Sequence, residues 1–251
     1  LIIENILLHQ AGLVAYIPFY KETLEADGAP SSKYFAAVKN DSFSIRVANN
    51  MYMRSDWRDT LYQRILQSPL GHANKYIYSD NDFIFLGKIV EAISGMPLND
   101  FAKEKFYKPM GLTTAGFKPT EQYAINRIVP TEQEKQFRQQ LLRGDVHDPG
   151  AAMFGGVAGH AGLFSNAYDL AVIMQMLLNG GTMNGKRYLQ KETIDLFTAY
   201  HSNISRRGYG FDKPEKDNRF RPDPYPSLSA SPRTFGHTGY TGTCVWADPT
   251  Y

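Results

Sequence analysis

Two short runs of residues contain side chains that can take part in acid–base and nucleophilic chemistry. Tyr78-Ser79-Asp80 opens an amphipathic segment, and His237-Thr238-Gly239 stands in a segment with strand-like alternation. Phenol, hydroxyl, carboxyl and imidazole groups are those with which enzymes attack a substrate or exchange protons with it. Together the two runs could supply groups for acid–base or nucleophilic catalysis.

The composition excludes several broad classes of protein. The 251 residues are 43% hydrophobic and 21% charged, which is enough to bury a core as one large domain or two small ones. Because the net charge is only +2 and acids are interspersed with bases, nucleic acid is not expected as a partner. The pairs Lys186-Arg187 and Arg206-Arg207 are predicted to be solvated surface charge. No apolar run is long enough to span a bilayer.

Hydrophobic spacing predicts a helical middle followed by strands, which is an α+β arrangement. The predicted helices cover residues 3–13, 57–66, 81–94, 98–107, 131–143, 167–179 and 192–200. The predicted strands cover residues 209–211 and 235–247. The many aromatic residues between Val14 and Leu70 indicate an insertion with short helices.

Local signals add detail to these elements. Asp80 or Asn81 is predicted to cap the helix over 81–94, and Asn166 is predicted to cap the helix over 167–179. Thr131-x-x-Glu134 has the pattern of a capping box at the start of a polar helix. The single cysteine, Cys244, lies in an alternating run and is predicted to be a small buried core residue.

Five segments in this order resemble the serine β-lactamase and penicillin-binding-protein superfamily, in particular the class C β-lactamases and their relatives. They are Ile6–Leu13, Tyr78–Gly87, Met96–Leu112, Val146–Ser165 and Phe235–Thr243. The resemblance implies a β-lactamase/transpeptidase-like α+β fold with a helical region and an incomplete antiparallel sheet. It implies one partial domain over 1–251, truncated at both ends. Its parts would be an elaborated insertion at 14–75, a mainly helical region at 76–205 and sheet strands at 206–251.

By this resemblance, Tyr78 is the general base and acid of an acyl-enzyme mechanism. A phenol is a poor base unless neighbouring cations lower its pKa. Asp80 stands where the family has asparagine and would hydrogen-bond a lysine or the substrate amide. A carboxylate there would hold that lysine protonated and disfavour an anionic substrate nearby. Capping the helix is the other role open to Asp80, and both can hold at once.

The resemblance also assigns roles around the second run. His237 stands where relatives have lysine and would contact a substrate carboxylate or the tyrosine. Because imidazole is mostly neutral at pH 7, an esterase or peptidase is favoured over an efficient β-lactamase. Thr238 would donate one hydrogen bond or point away, Gly239 would allow close approach, and the Tyr240 N–H would form half of the oxyanion hole. His160 would line the cleft.

The first motif of the superfamily, Ser-x-x-Lys, is absent, since no serine in these 251 residues is followed three positions later by lysine. Ile6–Leu13 resembles the element that follows this motif, so the nucleophile is expected upstream of Leu1. The chain alone is therefore expected not to catalyse acyl transfer. No metal or cofactor is expected, because His147, Asp148 and His160 fit no zinc motif and the glycine-rich run 155–162 lacks a Gly-Lys-Ser/Thr phosphate motif.

Within the superfamily, the chain is similar to the C-terminal module of Bacteroidetes proteins that begin with a glycoside hydrolase family 3 β-N-acetylglucosaminidase domain. This similarity implies small-molecule or muropeptide acyl substrates and a periplasmic or cell-surface location. The alternative is a non-catalytic module that binds peptidoglycan or a protein partner. A thin sheet with exposed edges is expected to favour self-association.

Overall fold

The computed structural model describes residues 1–72 and 75–251. Within them the α-helices are α1 Ile3–Leu7, α2 Trp57–Leu66, α3 Asp80–Ser94, α4 Leu98–Ala102, α5 Pro149–Met153, α6 Ala167–Leu178 and α7 Lys191–Thr198. The strands are β1 Phe35–Ala36, β2 Phe43–Ala48, β3 Met51–Arg54, β4 Pro130–Gln133, β5 Leu141–Arg143, β6 Thr182–Met183, β7 Lys186–Arg187, β8 Phe235–Thr238 and β9 Cys244–Ala247. They pair antiparallel in the orders β1-β3-β2, β4-β5, β6-β7 and β8-β9. Helices beside small antiparallel sheets confirm the predicted α+β class.

Helix α3 positions the first of the two runs. It ends where Gly95 adopts a left-handed conformation with φ of 66°, which glycine reaches without a Cβ penalty. The predicted cap by Asp80 or Asn81 is wrong: Ser79 is the N-cap residue, and it makes no side-chain capping bond. The Ser79 hydroxyl and the Asn81 amide both donate to the carbonyl of Val14 instead. These two bonds tie the start of α3 to Val14, the first residue of the predicted insertion.

Most of the other predicted helices are confirmed, with shifted ends. Helix α2 has the predicted bounds, and α4 continues into a π-helical turn at Lys103–Tyr107. The side chain of Asn166 accepts a hydrogen bond from the Asp169 N–H, so it caps α6 as predicted. Helix α1 ends at Leu7, well short of the glycine stop predicted for it. The division of the chain at residues 75 and 205 stays a prediction.

The segment before α3 contains a three-stranded sheet where short helices were predicted. Strands β1, β2 and β3 pack with α2 and α5 around the largest core. Met53, Leu61 and Phe137 are among its most buried side chains. Aromatic side chains in the segment pack here, since the Tyr34 ring contacts Trp57 and the Phe35 ring contacts Phe137.

The predicted helix over 131–143 is wrong, because these residues form strands β4 and β5 joined by a tight loop. Glu134 does act as a capping group, but for the loop. Its carboxylate accepts hydrogen bonds from four successive backbone N–H groups, those of residues 136–139. The sequence pattern therefore identified the capping side chain and misassigned the backbone that it caps.

The β8–β9 hairpin carries the second run. Phe235 pairs with Ala247 and Thr238 with Cys244, so the predicted strands near residue 251 are confirmed. No strand forms over 209–211; the contact with β8 is a bridge between Asp212 and Gly236. Cys244 is exposed, which corrects its predicted burial. Self-association through the edges of this sheet stays a prediction.

The length and hydropathy of the helices bear on whether any of them could span a membrane. Among the helices in the described residues, none combines the length and the apolar character required to cross a bilayer.

Candidate active site

Tyr78 lies at the meeting point of the two runs. Its ring is 6.1 Å from the His237 ring and 4.3 Å from the His9 ring, measured between centroids. The guanidinium carbon of Arg207 is 5.2 Å from the centre of the same ring, which is a cation–π contact. Tyr78 is 44% exposed, so the residue lies at the boundary between the protein interior and solvent. The fold thus brings together two of the predicted catalytic residues, Tyr78 and His237.

Burial raises the pKa of Tyr78, and the nearby Asp80 carboxylate raises it further, while Arg207 lowers it. The net direction is upward. A phenol in this state holds its proton at neutral pH and needs additional positive charge before it can accept one from a nucleophile.

His9 is a buried residue whose ring lies against that of Tyr78. Its side chain is 1% exposed, and Nδ1 lies 3.1 Å from both the Ser79 backbone nitrogen and Asp82 Oδ2. The Phe83 ring, 5.1 Å away, helps to enclose the imidazole. The sequence places His9 inside a motif but gives no sign of this contact, since it joins the turn after α1 to the start of α3.

Arg207 corrects the prediction that both basic pairs are solvated. Lys186 and Arg187 are exposed, but Arg207 is only 3% exposed. Its Nη1 donates to His237 Nε2 at 2.8 Å, and its Nε donates to the Tyr76 hydroxyl at 3.3 Å. No sequence signal separates it from an ordinary surface arginine.

Both ring nitrogens of His237 are engaged. A guanidinium only donates hydrogen bonds, so Nε2 of His237 accepts from Arg207 and carries no proton. Nδ1 then carries the proton and donates to the Thr238 carbonyl at 2.7 Å. Burial lowers the pKa of His237, and the charge of Arg207 lowers it further, although the bond to Thr238 opposes this. The imidazole is therefore neutral at pH 7.

Asp80 belongs to a second cluster. Its carboxylate, that of Asp148 and the His160 ring present ligand atoms within 4.8 Å of one another. His160 Nε2 lies 2.8 Å from Asp148 Oδ1, which also caps α5 by accepting from the Ala151 N–H. Burial raises the pKa of Asp80. The pKa of Asp148 lies below its usual range because the bonds from His160 and Ala151 outweigh the effect of burial.

The spacing of this cluster in sequence matches no zinc motif, and the fold nevertheless brings two carboxylates and an imidazole together. The expected absence of a metal stays a prediction. Tyr16, which sequence reasoning missed, lies close enough to this cluster for its charges to act on the phenol. Burial raises the pKa of Tyr16, and the charges of Asp148 and Asp80 raise it further.

The glycine-rich run packs directly on α3. A Cβ added to Gly159 would lie 1.9 Å from the Phe83 carbonyl oxygen, and one added to Gly87 would lie 3.0 Å from the Gly159 nitrogen. Only glycine fits where two backbones approach this closely. The run therefore serves helix packing, and it holds His160 beside Asp80.

The tip of the β8–β9 hairpin carries the remaining predicted residues. The Gly239 N–H donates to the Thr243 carbonyl at 2.6 Å, and a Cβ at Gly239 would meet the Thr243 hydroxyl at 2.3 Å. Thr238 is exposed. The Tyr240 side chain is 95% exposed, and its ring lies 5.3 Å from the His147 ring. The hairpin tip thus reaches the Val146–Ser165 segment.

Comparison with known proteins agrees with this fold. A profile of the beta-lactamase family matches residues 3–251, so the chain belongs to the beta-lactamase family. This is the β-lactamase-like family of serine hydrolases and penicillin-binding proteins to which the five segments were compared.

Relatives and solved structures are similar over most of the chain. A protein of Escherichia coli K12 named "Putative D-alanyl-D-alanine carboxypeptidase" is 38% identical over 218 residues, which are 81% of this chain and 49% of that protein. A protein of the same name from Salmonella enteritidis is 35% identical over 217 residues, with the same coverage. The chain thus spans about half the length of the curated relatives it matches.

A penicillin-binding protein homologue from Caulobacter crescentus has the same fold, with a TM-score of 0.59 at 20% identity over 100% of this chain and 62% of that one. The octameric penicillin-binding protein homologue from Pyrococcus abyssi gives a TM-score of 0.57 at 19% identity, over 98% and 48%.

Proposed function

We propose that this chain is the tyrosine- and histidine-bearing part of a serine acyl hydrolase that works through an acyl-enzyme. The observation that carries the proposal is the position of Tyr78, which is 44% exposed, with its ring 4.3 Å from the buried His9 ring and 6.1 Å from the His237 ring. Two motifs far apart in the sequence meet at one phenol, as a general base and its neighbours must.

The state of Tyr78 indicates what the rest of the site must supply. Its raised pKa shows that Arg207 alone is not enough to make the phenol a base at neutral pH. A lysine beside it would lower the pKa, and a carboxylate at Asp80 would keep that lysine charged. Because no serine in these residues precedes a lysine by three positions, the nucleophile and the lysine would come from outside residues 1–251.

The reaction follows from these positions. The serine oxygen attacks the acyl carbon, its proton passes to the Tyr78 phenolate, and the tyrosine then protonates the leaving group. The backbone N–H of Tyr240, on the hairpin tip after Gly239, would stabilise the oxyanion together with the N–H of the serine. His160 and Thr238 would line the substrate cleft.

The proposed substrates are peptides that end in D-alanine, or related esters and amides from cell-wall muropeptides. The names of the E. coli and Salmonella relatives support this substrate class. Such substrates place the protein in the periplasm or at the cell surface, which is part of the proposal.

Two forms of the protein test the proposal: the 251-residue chain, and the chain joined to the upstream residues of its own gene. Fluorescent penicillin, p-nitrophenyl esters and an acyl-D-Ala-D-Ala peptide serve as probes. The longer form is expected to be labelled on serine and to release D-alanine, and Tyr78→Phe is expected to abolish both. Ester hydrolysis by the 251-residue chain, lost in Tyr78→Phe, would show that the nucleophile lies within it.

A non-catalytic module is the second candidate, and the absence of Ser-x-x-Lys from the 251 residues favours it. It would hold peptidoglycan or a protein partner within a β-N-acetylglucosaminidase fusion. An upstream gene sequence without Ser-x-x-Lys, together with sedimentation of the chain with peptidoglycan, would support this function over catalysis.

A further inference from the structure

We propose that Arg207 is a buried positioning residue that joins the two motifs, fixing the tautomer of His237 and placing a permanent positive charge against the Tyr78 ring. This inference rests on the proposed function, because it assigns a role within that site. It goes beyond the motif comparison, in which the lysine of Ser-x-x-Lys would supply the positive charge beside Tyr78.

The guanidinium of Arg207 is buried. Arg207 is 3% exposed, so a substrate cannot contact it directly, and its influence must pass through the groups it touches. Those groups are His237 Nε2 at 2.8 Å, the Tyr76 hydroxyl at 3.3 Å and the face of the Tyr78 ring at 5.2 Å. Two of the three, His237 and Tyr78, belong to the motifs, and Tyr76 stands two residues before Tyr78.

The carboxylate near Arg207, that of Asp212, is bound mainly by Arg206. Asp212 is the nearest carboxylate, but its two oxygens accept from Arg206 at 2.7 and 3.0 Å and from Tyr225 at 2.8 Å. Arg207 Nε is 4.0 Å from the same carboxylate. Asp212 is therefore mainly the partner of Arg206. The charge of Arg207 is only partly compensated, and it remains effective at Tyr78.

Arg207 also determines which ring nitrogen of His237 carries the proton. If Nε2 of His237 gained a proton, two N–H donors would face each other across 2.8 Å. The other charged or titratable groups around His237 are Asp212, His9 and Tyr78. His9 is neutral at pH 7, and Asp212 is shared with Arg206, so Asp212 only partly offsets the charge of Arg207 at His237. His237 remains a neutral acceptor, and Arg207 is the cation of this side of the site.

Nuclear magnetic resonance of the 251-residue chain tests the inference without turnover. With 15N-labelled histidine, His237 is expected to show the Nδ1–H tautomer and to titrate below pH 6.5. With 13C-labelled tyrosine, the titration of Tyr78 can be followed in the same sample. Arg207→Gln keeps a donor but removes the charge, Arg207→Met removes both, and Arg207→Lys keeps the charge.

In Arg207→Gln and Arg207→Met, the titrations of His237 and Tyr78 are expected to move to higher pH. Arg207→Met should in addition lose the single tautomer, and Arg207→Lys should preserve the wild-type titration of Tyr78. Arg187→Gln removes the same charge from an exposed site and is expected to change neither titration. If Arg207→Met does not fold, the wild-type tautomer and Arg207→Gln still decide the question.

A wild-type His237 that protonates near pH 6.5, or that carries its proton on Nε2, would overturn the inference whatever the activity. The expected titrations in a protein that releases no D-alanine would leave the inference standing and count against the proposed function alone.

Discussion

His9 Nδ1 lies 3.1 Å from Asp82 Oδ2, and both side chains are 1% exposed. The Ser79 N–H points to the same nitrogen, so Nδ1 is an acceptor and the carboxyl of Asp82 is the group that holds a proton. Burial raises the pKa of Asp82 to about 7. Burial, followed by the charge of Arg207, lowers the pKa of His9 to about 3. The pair folds as two neutral groups behind Tyr78.

Separating this pair should expose two opposite dependences of stability on pH. In Asp82→Asn, His9 remains with a folded pKa below its unfolded value of 6.5. The free energy of unfolding should therefore fall as the pH drops from 6.5 towards 3, because the unfolded chain binds the proton. In His9→Gln, Asp82 remains with a folded pKa above 3.8, so stability should fall as the pH rises from about 4 to 7.

Each slope is at most about 1.4 kcal/mol per pH unit, and in the wild type the two nearly cancel between about pH 4 and 6.5. Urea unfolding across that interval measures them. Slopes of the same sign in the two variants would show that the pair does not fold as neutral partners.

Removing the hydroxyl of Tyr78 should stop catalysis and leave the fold intact. In the longer form that carries the nucleophile, Tyr78→Phe is expected to lower kcat/KM for an acyl-D-Ala-D-Ala peptide by roughly 100- to 10,000-fold, the usual contribution of a positioned base. Tyr240→Phe is the matched control, because that side chain is 95% exposed and its proposed contribution is a backbone N–H. Equal losses in both variants would contradict the role of Tyr78.

Glu134→Gln should destabilise the loop between β4 and β5. The carboxylate accepts from four successive N–H groups, and an amide oxygen accepts less strongly and leaves some of these donors unpaired. The expected loss is about 1–3 kcal/mol in the free energy of unfolding. Glu121→Gln, at an exposed position, should change the stability little.

The same carboxylate predicts an acid limb. Burial raises the pKa of Glu134, but the backbone N–H bonds outweigh burial and hold the pKa below 4.5. Its stabilisation is therefore present above 4.5 and lost as the pH falls through the folded value. Thermal melts at decreasing pH should show this loss in the wild type and not in Glu134→Gln.

Gly236→Ala should disrupt the hairpin that carries His237. A Cβ there would lie 2.1 Å from the Val245 carbonyl oxygen and 2.7 Å from the Trp246 ring. The expected cost is about 1–3 kcal/mol, with a changed near-ultraviolet signal from Trp246. Gly116→Ala is the matched control, since no atom lies within 4 Å of its added Cβ. A silent Gly236→Ala would mean that the strands can separate at little cost.

Hydrophobic spacing predicted the positions of most helices because it lies within the segment that it describes, although the caps and ends were less accurate. Helix α2 is an example. The same logic failed at Glu134, where a capping side chain serves a loop between strands whose pairing no local pattern encodes.

The candidate site divides in the same way. Tyr78 and His237 could be predicted because each stands in a motif. Arg207, His9 and Asp82 could not, because their roles depend on burial and on contacts between segments distant in the sequence. The sequence around an arginine does not indicate whether its side chain is buried or exposed to solvent.

The contact of Gly159 with Phe83 and Gly87 has a consequence for motion. Two backbones in direct contact leave no side chain between them that could yield, so α3 and the glycine-rich run open to solvent together or not at all. They should therefore form one cooperative unit in native-state hydrogen exchange. Within that unit, direct main-chain contact fixes the distance between the backbone of α3 and that of the glycine-rich run.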